Sequence, residues 1–370
     1  MSMDFKKDLI YQQLREAIVA GKYLPGQKFP NELDFARELN IGKVTLRSAL
    51  TQLEADGMVV KIPRRGTFVT PESHTSGKKF LAVIPSSSSG AESPWHYIMP
   101  GIEEQAKHDN ITIEKCSVHF LNSMGTVEGV EQLKDHNLDG IFYFATSVSG
   151  NEQAYKTIKA TGLPVIMPHG GRKDYHTTGF AVMRTNERSA WESGIKYLAD
   201  KGHHHIATIW NGNEQKLWRG FTYEQYFNFL AEQECSNDPE LVAQCRYDYD
   251  EVETVIKRFM DLDRFPTAII CHSDFYALHV YQVLKSLNIR IPHQVAVLGY
   301  SNYPGGKFCS PALSTIDLQY QQVGHAAVRL MTKADAWHRN DTATPLIYTP
   351  YRLLERASSK IKRIERELVS

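Results

Sequence analysis

The sequence predicts an α/β protein in two parts: a small helical domain with a two-stranded ribbon, followed by a larger doubly wound body with parallel sheets. Three observations predict this. Apolar residues recur at helical spacing through residues 5–56. From Lys79 onward, short apolar runs alternate with helical stretches. Finally, 370 residues exceed the roughly 100–200 residues of one ordinary domain.

The N-terminal part is predicted to hold three helices. The first spans residues 5–20, and Gly21 follows in the position that glycine often takes after a helix end. Asn31 is predicted to be the N-cap of a second helix, which ends near Asn40. The third helix spans residues 43–56, and its apolar stripe leaves Thr45, Arg47, Ser48 and Gln52 on another face.

The stretch KIPRRGTFVTP predicts a ribbon, in which residues 58–61 pair with residues 67–70. Pro63 and Gly66 suit a tight turn, while packing gives no reason for two adjacent arginines at the tip. Three short helices followed by such a ribbon form a winged helix-turn-helix.

Positive charge is concentrated in this region. The whole chain is neutral, with 42 basic and 42 acidic residues, but residues 41–70 hold five basic and two acidic ones and carry a net +3. The basic residues there are Lys43, Arg47, Lys61, Arg64 and Arg65. This local excess favours contact with an anionic partner such as nucleic acid.

Residues 72–79 (ESHTSGKK) are polar and without periodicity, which predicts a flexible linker between a first domain over 1–71 and a body over 80–356. Residues 357–370 are predicted to form a basic tail.

Buried parallel strands are predicted at residues 80–85, 139–145, 163–168, 205–210, 267–272 and 294–300. Helices are predicted at 98–109, 187–201, 216–233, 250–262 and 275–287. Ligands of such folds bind at the carboxyl ends of the strands.

Composition and motifs exclude several classes of protein. Five widely spaced cysteines without a C-x-x-C pair favour neither a disulfide scaffold nor a zinc site. The run His203-His204-His205 does not predict a metal site, because consecutive side chains point in different directions. The absence of a long apolar run predicts a cytoplasmic protein without membrane contact. No G-x-S-x-G, Walker A or zinc-deaminase motif is present, so neither catalysis nor a cofactor is expected.

Residues 9–70 resemble the DNA-binding domain of the GntR family of bacterial regulators, through the G-x-x-x-P-G turn, the opening Pro30-Asn31-Glu32 and the GTFV wing. Residues 79–356 resemble the sugar-responsive core of LacI/GalR regulators, which is related to periplasmic binding proteins and has two lobes. The segments that carry this resemblance are ESGIKYLADKGHHHIATI, TAIICHSDFYALHVYQVLKSLNIRIPHQVAVLGYSN and SPALSTIDLQYQQVGHAAVRLM. The pairing is similar to that of the arabinose-repressor type.

The first resemblance implies that Lys43, Thr45 and Arg47 meet DNA in the major groove and that the tip Arg65-Gly66 reaches the minor groove. The start of the third helix also offers free backbone N–H groups to a phosphate. Ser48 on the same helix and Arg64 at the tip complete the predicted DNA-binding set. This chain has Gly42-Lys43 where the family usually has Ser-Arg.

The second resemblance implies a ligand between the lobes. Sugar binding needs an aromatic face and polar groups that span neighbouring hydroxyls, and the loop SSSSGAESPWHY offers Ser86, Ser87, Trp95 and Tyr97 for both. By position within the family, Phe144, His169, Asp274, Ser301, Asn302 and Tyr320 are also predicted to line the ligand. Arg219 or Lys216 would supply a cation.

We therefore expect a ligand-controlled transcriptional repressor that binds a pseudo-palindromic operator as a homodimer and takes a monosaccharide as effector. A nucleoside or a phosphorylated sugar is the alternative effector. From a different class, a ligand-binding receptor module without specific DNA binding is the alternative function.

Overall fold

The computed structural model describes residues 3–19, 22–24, 26–70, 77–85, 93–212, 220–338 and 344–360. The N-terminal domain contains α1 (Met3–Val19), α2 (Glu32–Glu38), α3 (Lys43–Ala55), β1 (Val59–Ile62) and β2 (Gly66–Val69). β1 and β2 pair in antiparallel fashion from Val59 opposite Val69 to Ile62 opposite Gly66. The predicted winged helix-turn-helix is confirmed.

Local rules explain why these elements start where they do. The Asn31 side chain accepts hydrogen bonds from the N–H groups of Leu33 and Asp34, so it caps α2 as predicted. α3 buries Leu46, Ala49, Leu50 and Leu53 and leaves its other face exposed. The domain thus has its own apolar core and presents the basic side of α3 to solvent.

The body contains twelve further strands among the described residues. They are β3 (Lys79–Ile84), β4 (Thr112–Ser117), β5 (Gly140–Tyr143), β6 (Val165–Met167), β7 (Ala181–Thr185), β8 (Ile206–Asn211), β9 (Val242–Cys245), β10 (Ala268–Cys271), β11 (Ala296–Tyr300), β12 (Ser314–Asp317), β13 (Leu346–Thr349) and β14 (Arg352–Leu354).

These strands form two six-stranded sheets, one in each lobe. The first-lobe sheet has the order β13-β7-β6-β5-β3-β4 and the second-lobe sheet has the order β14-β12-β11-β10-β8-β9. Pairing is parallel throughout, except that β14 is antiparallel to β12. All six predicted strands are present.

Ten helices of the body lie in the described segments. They are α4 (Trp95–His108), α5 (Val118–Asn122), α6 (Thr126–Lys134), α7 (Gln153–Ala160), α8 (Arg172–Thr178), α9 (Glu187–Asp200), α10 (Tyr223–Glu232), α11 (Tyr249–Met260), α12 (Asp274–Ser286) and α13 (Tyr320–Thr332). Short 3₁₀ turns occupy Pro239–Leu241, Pro304–Phe308 and Ala334–Ala336. Within the described residues, no helix is both long and apolar enough to cross a bilayer.

The chain crosses between the lobes three times, after β7, after β12 and after β13. The crossings are cross-linked by side chains. The hydroxyl oxygens of Thr185 and Thr349 lie 3.1 Å apart, and Arg352 Nε donates to Asp317 Oδ2 at 3.0 Å. Three adjacent connections of this kind form a hinge about which the lobes can close.

Two glycines bring α4 and α13 into close contact on the first lobe. A Cβ added at Gly324 would lie 2.3 Å from the carbonyl oxygen of Ile98, and one at Gly101 would lie 2.0 Å from that of Gln321. Backbone-to-backbone packing of this kind leaves no room for side chains between the helices. The pair therefore behaves as one stiff element.

The body extends past the predicted boundary at residue 356. Ser358 and Ser359 are fully buried. The Ser358 hydroxyl donates to the Val297 carbonyl at 2.6 Å and accepts from the Ser314 N–H at 2.8 Å. Residues 357–360 consequently pack into the second lobe instead of opening a tail.

Candidate effector cleft and nucleic-acid interface

A cleft of about 850 Å³ lies between the two lobes, at the carboxyl ends of both sheets. The first lobe contributes side chains that follow β5, β6 and β7, and the second contributes side chains that follow β8, β10 and β11. This is where the parallel topology predicts a ligand.

Five of the predicted ligand-binding residues line this cleft. They are Trp95, Phe144, His169, Ser301 and Tyr320. Ser86, Ser87, Arg219 and its alternative Lys216 lie outside the described residues. The predictions for those four positions remain predictions.

Aromatic rings form one wall of the cleft. The Tyr303 ring is stacked with that of Tyr320, with centroids 6.1 Å apart, and the edge of His169 meets Tyr320 at 6.0 Å. Tyr97 does not line the cleft; its ring lies 4.5 Å from that of Tyr303 and supports the wall from behind. Flat apolar faces of this kind pack well against the C–H surface of a sugar or against a base.

Asp274 and Asn302 were predicted to contact the ligand, but neither is among the residues that line the cleft, so for both the contact stays a prediction. Asp274 is 1 % exposed, and its carboxylate accepts from the Tyr303 N–H at 2.7 Å and from the Thr315 hydroxyl at 2.6 Å. Burial raises the pKa of Asp274 to about 7. Asn302 Oδ1 accepts from Arg356 Nη2 at 2.7 Å. Neither side chain lines the cleft; both hold the loop after β11 in place.

Arg184, which the sequence analysis did not single out, lies at the end of β7 and lines the cleft. Its Nε is buried and has no hydrogen-bond partner among the described residues. Of the lining residues that the structure describes, it is the single lysine or arginine. Its neighbours in sequence, Ala-Val-Met before and Thr after, give no motif, so only its place at a strand end could have indicated it.

Ser273 is a second residue with an unsatisfied polar atom in the cleft. It is 4 % exposed, and its hydroxyl has no hydrogen-bond partner within the described part of the chain. Leaving a buried donor or acceptor unsatisfied costs about 1–3 kcal/mol. Ser273 Oγ and Arg184 Nε are both inaccessible to solvent in this structure, so a ligand would reach either atom only after its side chain moves into the cleft.

Two of the three acidic residues that line the cleft, Glu152 and Asp174, accept hydrogen bonds from backbone N–H groups; the third is Glu187. Glu152 accepts from the N–H groups of Ser149 and Gly150, and these hydrogen bonds lower its pKa to about 2. Asp174 accepts from the N–H groups of Val148 and Gly171. Both carboxylates stabilise loops, and the remaining lining offers aromatic faces, hydroxyls, imidazoles, the amides of Asn122 and Asn211, the Glu187 carboxylate and one guanidinium.

The other candidate site is the exposed face of α3. Lys43 and Arg47 are exposed and Thr45 and Ser48 are half-buried, all in the first half of the helix. Gly42 caps α3 without a side-chain hydrogen bond, which leaves backbone N–H groups of the first turn open to a phosphate. The Arg47 guanidinium is held by Glu32, at 2.8 Å from Nη2 to Oε2.

The wing tip has the geometry that its sequence demands. Arg64 has φ 66° and Gly66 has φ 118°, and both Arg64 and Arg65 are exposed. A Cβ at Gly66 would lie 2.8 Å from Lys28 Cε. Lys28, which the sequence analysis missed, thus adds a third cation beside the tip, because its backbone is bridged to Phe68 of the wing.

A winged helix-turn-helix with a basic reading face, joined to a hinged two-lobed body with a polar and aromatic cleft, defines a DNA-binding transcriptional regulator with a small-molecule sensor. Residues 6–69 match the model of the bacterial regulatory proteins of the gntR family, and residues 195–359 match that of the periplasmic binding protein-like domain. The chain is thus a gntR-family DNA-binding domain fused to a periplasmic-binding-protein-like body, and both predicted resemblances are confirmed.

Curated relatives share this organisation in whole or in part. The arabinose metabolism transcriptional repressor of Halalkalibacterium halodurans is 23% identical, over 97% of this chain and 98% of its own. The repressor PurR of Pasteurella multocida is 24% identical over 68% of this chain and 73% of its own. The repressor CytR of Escherichia coli is 27% identical over 37% of this chain and 40% of its own. These relatives are transcriptional regulators, in keeping with the prediction that the chain is not an enzyme.

Solved structures support the fold of the body. A LacI-family regulator from Rhizobium etli matches with a TM-score of 0.61 at 18% identity, over 76% of this chain and 98% of that one. The regulator CcpA of Lactococcus lactis matches with a TM-score of 0.57 at 18% identity, over 76% and 99%. At this identity the likeness concerns the fold.

Proposed function

We propose that this protein is a cytoplasmic transcriptional repressor of carbohydrate-utilisation genes, which binds a pseudo-palindromic operator as a homodimer and a monosaccharide in the interlobe cleft. The observation that carries the proposal is the cleft itself. It lies between two lobes that are joined by the three-crossing hinge, and it has an aromatic wall. It also contains buried polar atoms of Arg184 and Ser273 that lack a partner among the described residues. The relative that aligns over nearly its whole length is an arabinose metabolism transcriptional repressor, which supports the ligand class.

In the cleft, the sugar would place its C–H surface against Tyr320 or Trp95 and its hydroxyls against polar side chains from both lobes. Ser273 and Ser301 come from the second lobe and His169 and Arg184 from the first. A ligand that bridges both groups stabilises the closed arrangement of the hinge. Because ligand and operator share one protein, the ligand changes operator affinity only if it binds the two conformations with different affinities.

On DNA, the first half of α3 would enter the major groove, with Lys43, Thr45, Arg47 and Ser48 facing bases and phosphates. The wing tip would reach the flanking minor groove through Arg65, beside Gly66, while Arg64 holds a phosphate. In a homodimer, the two DNA-binding domains would bind the two half-sites of the operator. Phosphate contacts make the affinity fall steeply with salt.

Two measurements test the proposal. Gel-shift on genomic fragments at moderate salt should reveal a specific fragment whose affinity falls linearly on a log scale with salt concentration. Thermal-shift screening of monosaccharides, including arabinose, should raise the melting temperature for at least one of them. Binding to all fragments alike would show a ligand-binding module without specific DNA binding, and a flat response to every sugar would exclude the proposed ligand class.

A nucleoside or purine is the second candidate effector, since PurR and CytR repressors are among the relatives and the Tyr303–Tyr320 stack suits a base as well as a sugar. A phosphorylated sugar is less well supported, because Arg184 is the single lysine or arginine lining the described part of the cleft. Purines, nucleosides and hexose phosphates in the same screen decide between these classes.

A further inference from the structure

The DNA-binding domain is seated on the body of the same chain, far from the face that would read DNA. α1 and the C-terminal end of α3 border a crevice of about 550 Å³ whose other side is formed by the C-terminal ends of α4 and α13. α3 has 13 residues, so about 20 Å separate its crevice end from its DNA-reading end. Docking on the body therefore leaves the reading face open.

A hydrogen-bond network joins the two domains across this crevice. The Tyr11 hydroxyl donates to Asp56 Oδ2 at 2.6 Å, and its oxygen lies 2.9 Å from His108 Nε2 of α4. His108 Nδ1 lies 2.8 Å from Asp109 Oδ1. Both ring nitrogens thus face acceptors, and the tyrosine and histidine rings are stacked at an angle of 20°.

The network continues into α13. Gln105 Nε2 donates to Asp109 Oδ2 at 2.9 Å, and Arg329 Nη1 of α13 donates to Gln105 Oε1 at 2.9 Å. The three residues therefore hold the C-terminal ends of α4 and α13 together at the point where the DNA-binding domain rests.

A buried cation on the DNA-binding domain lines the same crevice. Arg15 of α1 is 8 % exposed, lines the crevice, and forms no ion pair with any residue that the structure describes. A buried charge needs compensation. The C-terminal ends of α3, α4 and α13 converge on the same crevice, and the free carbonyl groups of helix C-termini favour a cation.

The opposite ends of α4 and α13 lie at the effector cleft. α4 begins at Trp95 and α13 begins at Tyr320, and both residues line that cleft. α4 has 14 residues and spans about 20 Å, and the Gly101 and Gly324 contacts make the two helices one stiff element. A shift at one end is consequently transmitted to the other.

We propose that the α4–α13 pair is a docking surface for the DNA-binding domain of the same chain and couples the effector cleft to the orientation of that domain. The regulatory meaning of this coupling depends on the function proposed above, but docking itself does not. Coupling of this kind is reciprocal, so a change at the docked end also alters the cleft end.

Hydrogen–deuterium exchange on the full-length protein, with no ligand or DNA added, tests both the docking and the coupling. Tyr11→Phe removes both hydrogen bonds of the hydroxyl and His108→Gln removes the stack; each should raise amide exchange about tenfold in residues 9–19 and 103–111. Exchange should also rise at the cleft ends, residues 93–99 and 319–324. Tyr197→Phe is the matched control, because that hydroxyl bonds Glu355 in the second lobe.

Exchange in both variants equal to that of the control would overturn the docking. A rise in residues 9–19 and 103–111 without a rise at residues 93–99 and 319–324 would overturn the coupling, and a rise confined to residues 9–19 would overturn both. A photo-cross-linker, p-benzoylphenylalanine in place of Gln12, which lines the crevice and is exposed, leaves the Tyr11 network intact. In mixed isotope-labelled and unlabelled protein it tells whether the domain docks in the same chain; cross-links between labelled and unlabelled chains would contradict the proposal. None of these outcomes depends on specific DNA binding, so the two proposals can fail separately.

Discussion

Asp274→Asn should flatten the pH dependence of stability without affecting the effector cleft. The Asp274 carboxylate is almost fully buried beneath the loop after β11 and accepts from Tyr303 N–H and the Thr315 hydroxyl. An asparagine keeps both contacts, since its carbonyl oxygen can accept from the N–H and its amide can donate to the rotated Thr315 hydroxyl. What the substitution removes is the ionisable group.

The sign and size of this change in stability with pH follow from burial, which raises the pKa of Asp274 from 3.8 to about 7. Between these values the unfolded chain releases the proton while the folded protein retains it, so the wild-type protein loses stability as pH rises. At about 1.4 kcal/mol per pKa unit, the loss from pH 4 to pH 8 is about 4 kcal/mol. The asparagine variant lacks this loss.

Urea denaturation at a series of pH values, followed by tryptophan fluorescence, measures the effect. The difference in the free energy of unfolding between the variant and the wild type should grow in favour of the variant by about 4 kcal/mol from pH 4 to pH 8. Parallel curves for the two proteins would refute the reasoning. A variant that loses its thermal-shift response to the effector would show that Asp274 contacts the ligand after all.

Three further predictions concern the two sites and a loop. Arg65→Ala should weaken operator binding, with the salt slope reduced by about 1, while effector binding is unchanged; equal operator affinity of both proteins would contradict the wing assignment. Arg184→Gln should weaken effector binding by about tenfold or more in titration calorimetry, because it removes a charged donor. Arg246→Gln on the exposed surface is the control and should leave effector binding unchanged. Equal effects of the two substitutions would argue against effector binding by Arg184 in the cleft. Glu152→Gln should lower stability at neutral pH, and its disadvantage should vanish as pH falls from about 4.5 toward 2, since the lowered pKa of Glu152 stabilises the folded state above that range; a disadvantage that is independent of pH would contradict this.

Local patterns were sufficient to predict the N-terminal domain and six of the body's strands, although the buried strands β7 and β12 were missed together with β9. The Asn31 cap, the tight tip at Pro63 and Gly66 and the apolar stripe of α3 depend on neighbours within a few residues, and all are present. β4, with the sequence TIEKCS and no residue fully buried, was missed because it lies at the edge of its sheet and has no apolar run. β13 and β14 were missed for the related reason that they are short and partly exposed.

The candidate cleft was predictable in place but only partly in membership. The ends of parallel strands indicated where a ligand would lie, and Trp95, Phe144 and His169 do line that space. Position along the chain could not separate Asp274, which turns inward to hold a loop, from its neighbour Ser273, which lines the cleft. That distinction depends on side-chain direction at a strand-to-helix turn.

The sequence by itself determined the two-domain organisation, the helix-turn-helix with its basic wing, and the alternation that builds parallel sheets, because these depend on periodicity and turn chemistry within short segments. Only the tertiary structure decided which side chains meet in the cleft, how three crossings form a hinge, and that Tyr11 contacts His108. Those contacts join residues far apart in the chain, and their geometry is set by how whole helices and sheets pack together.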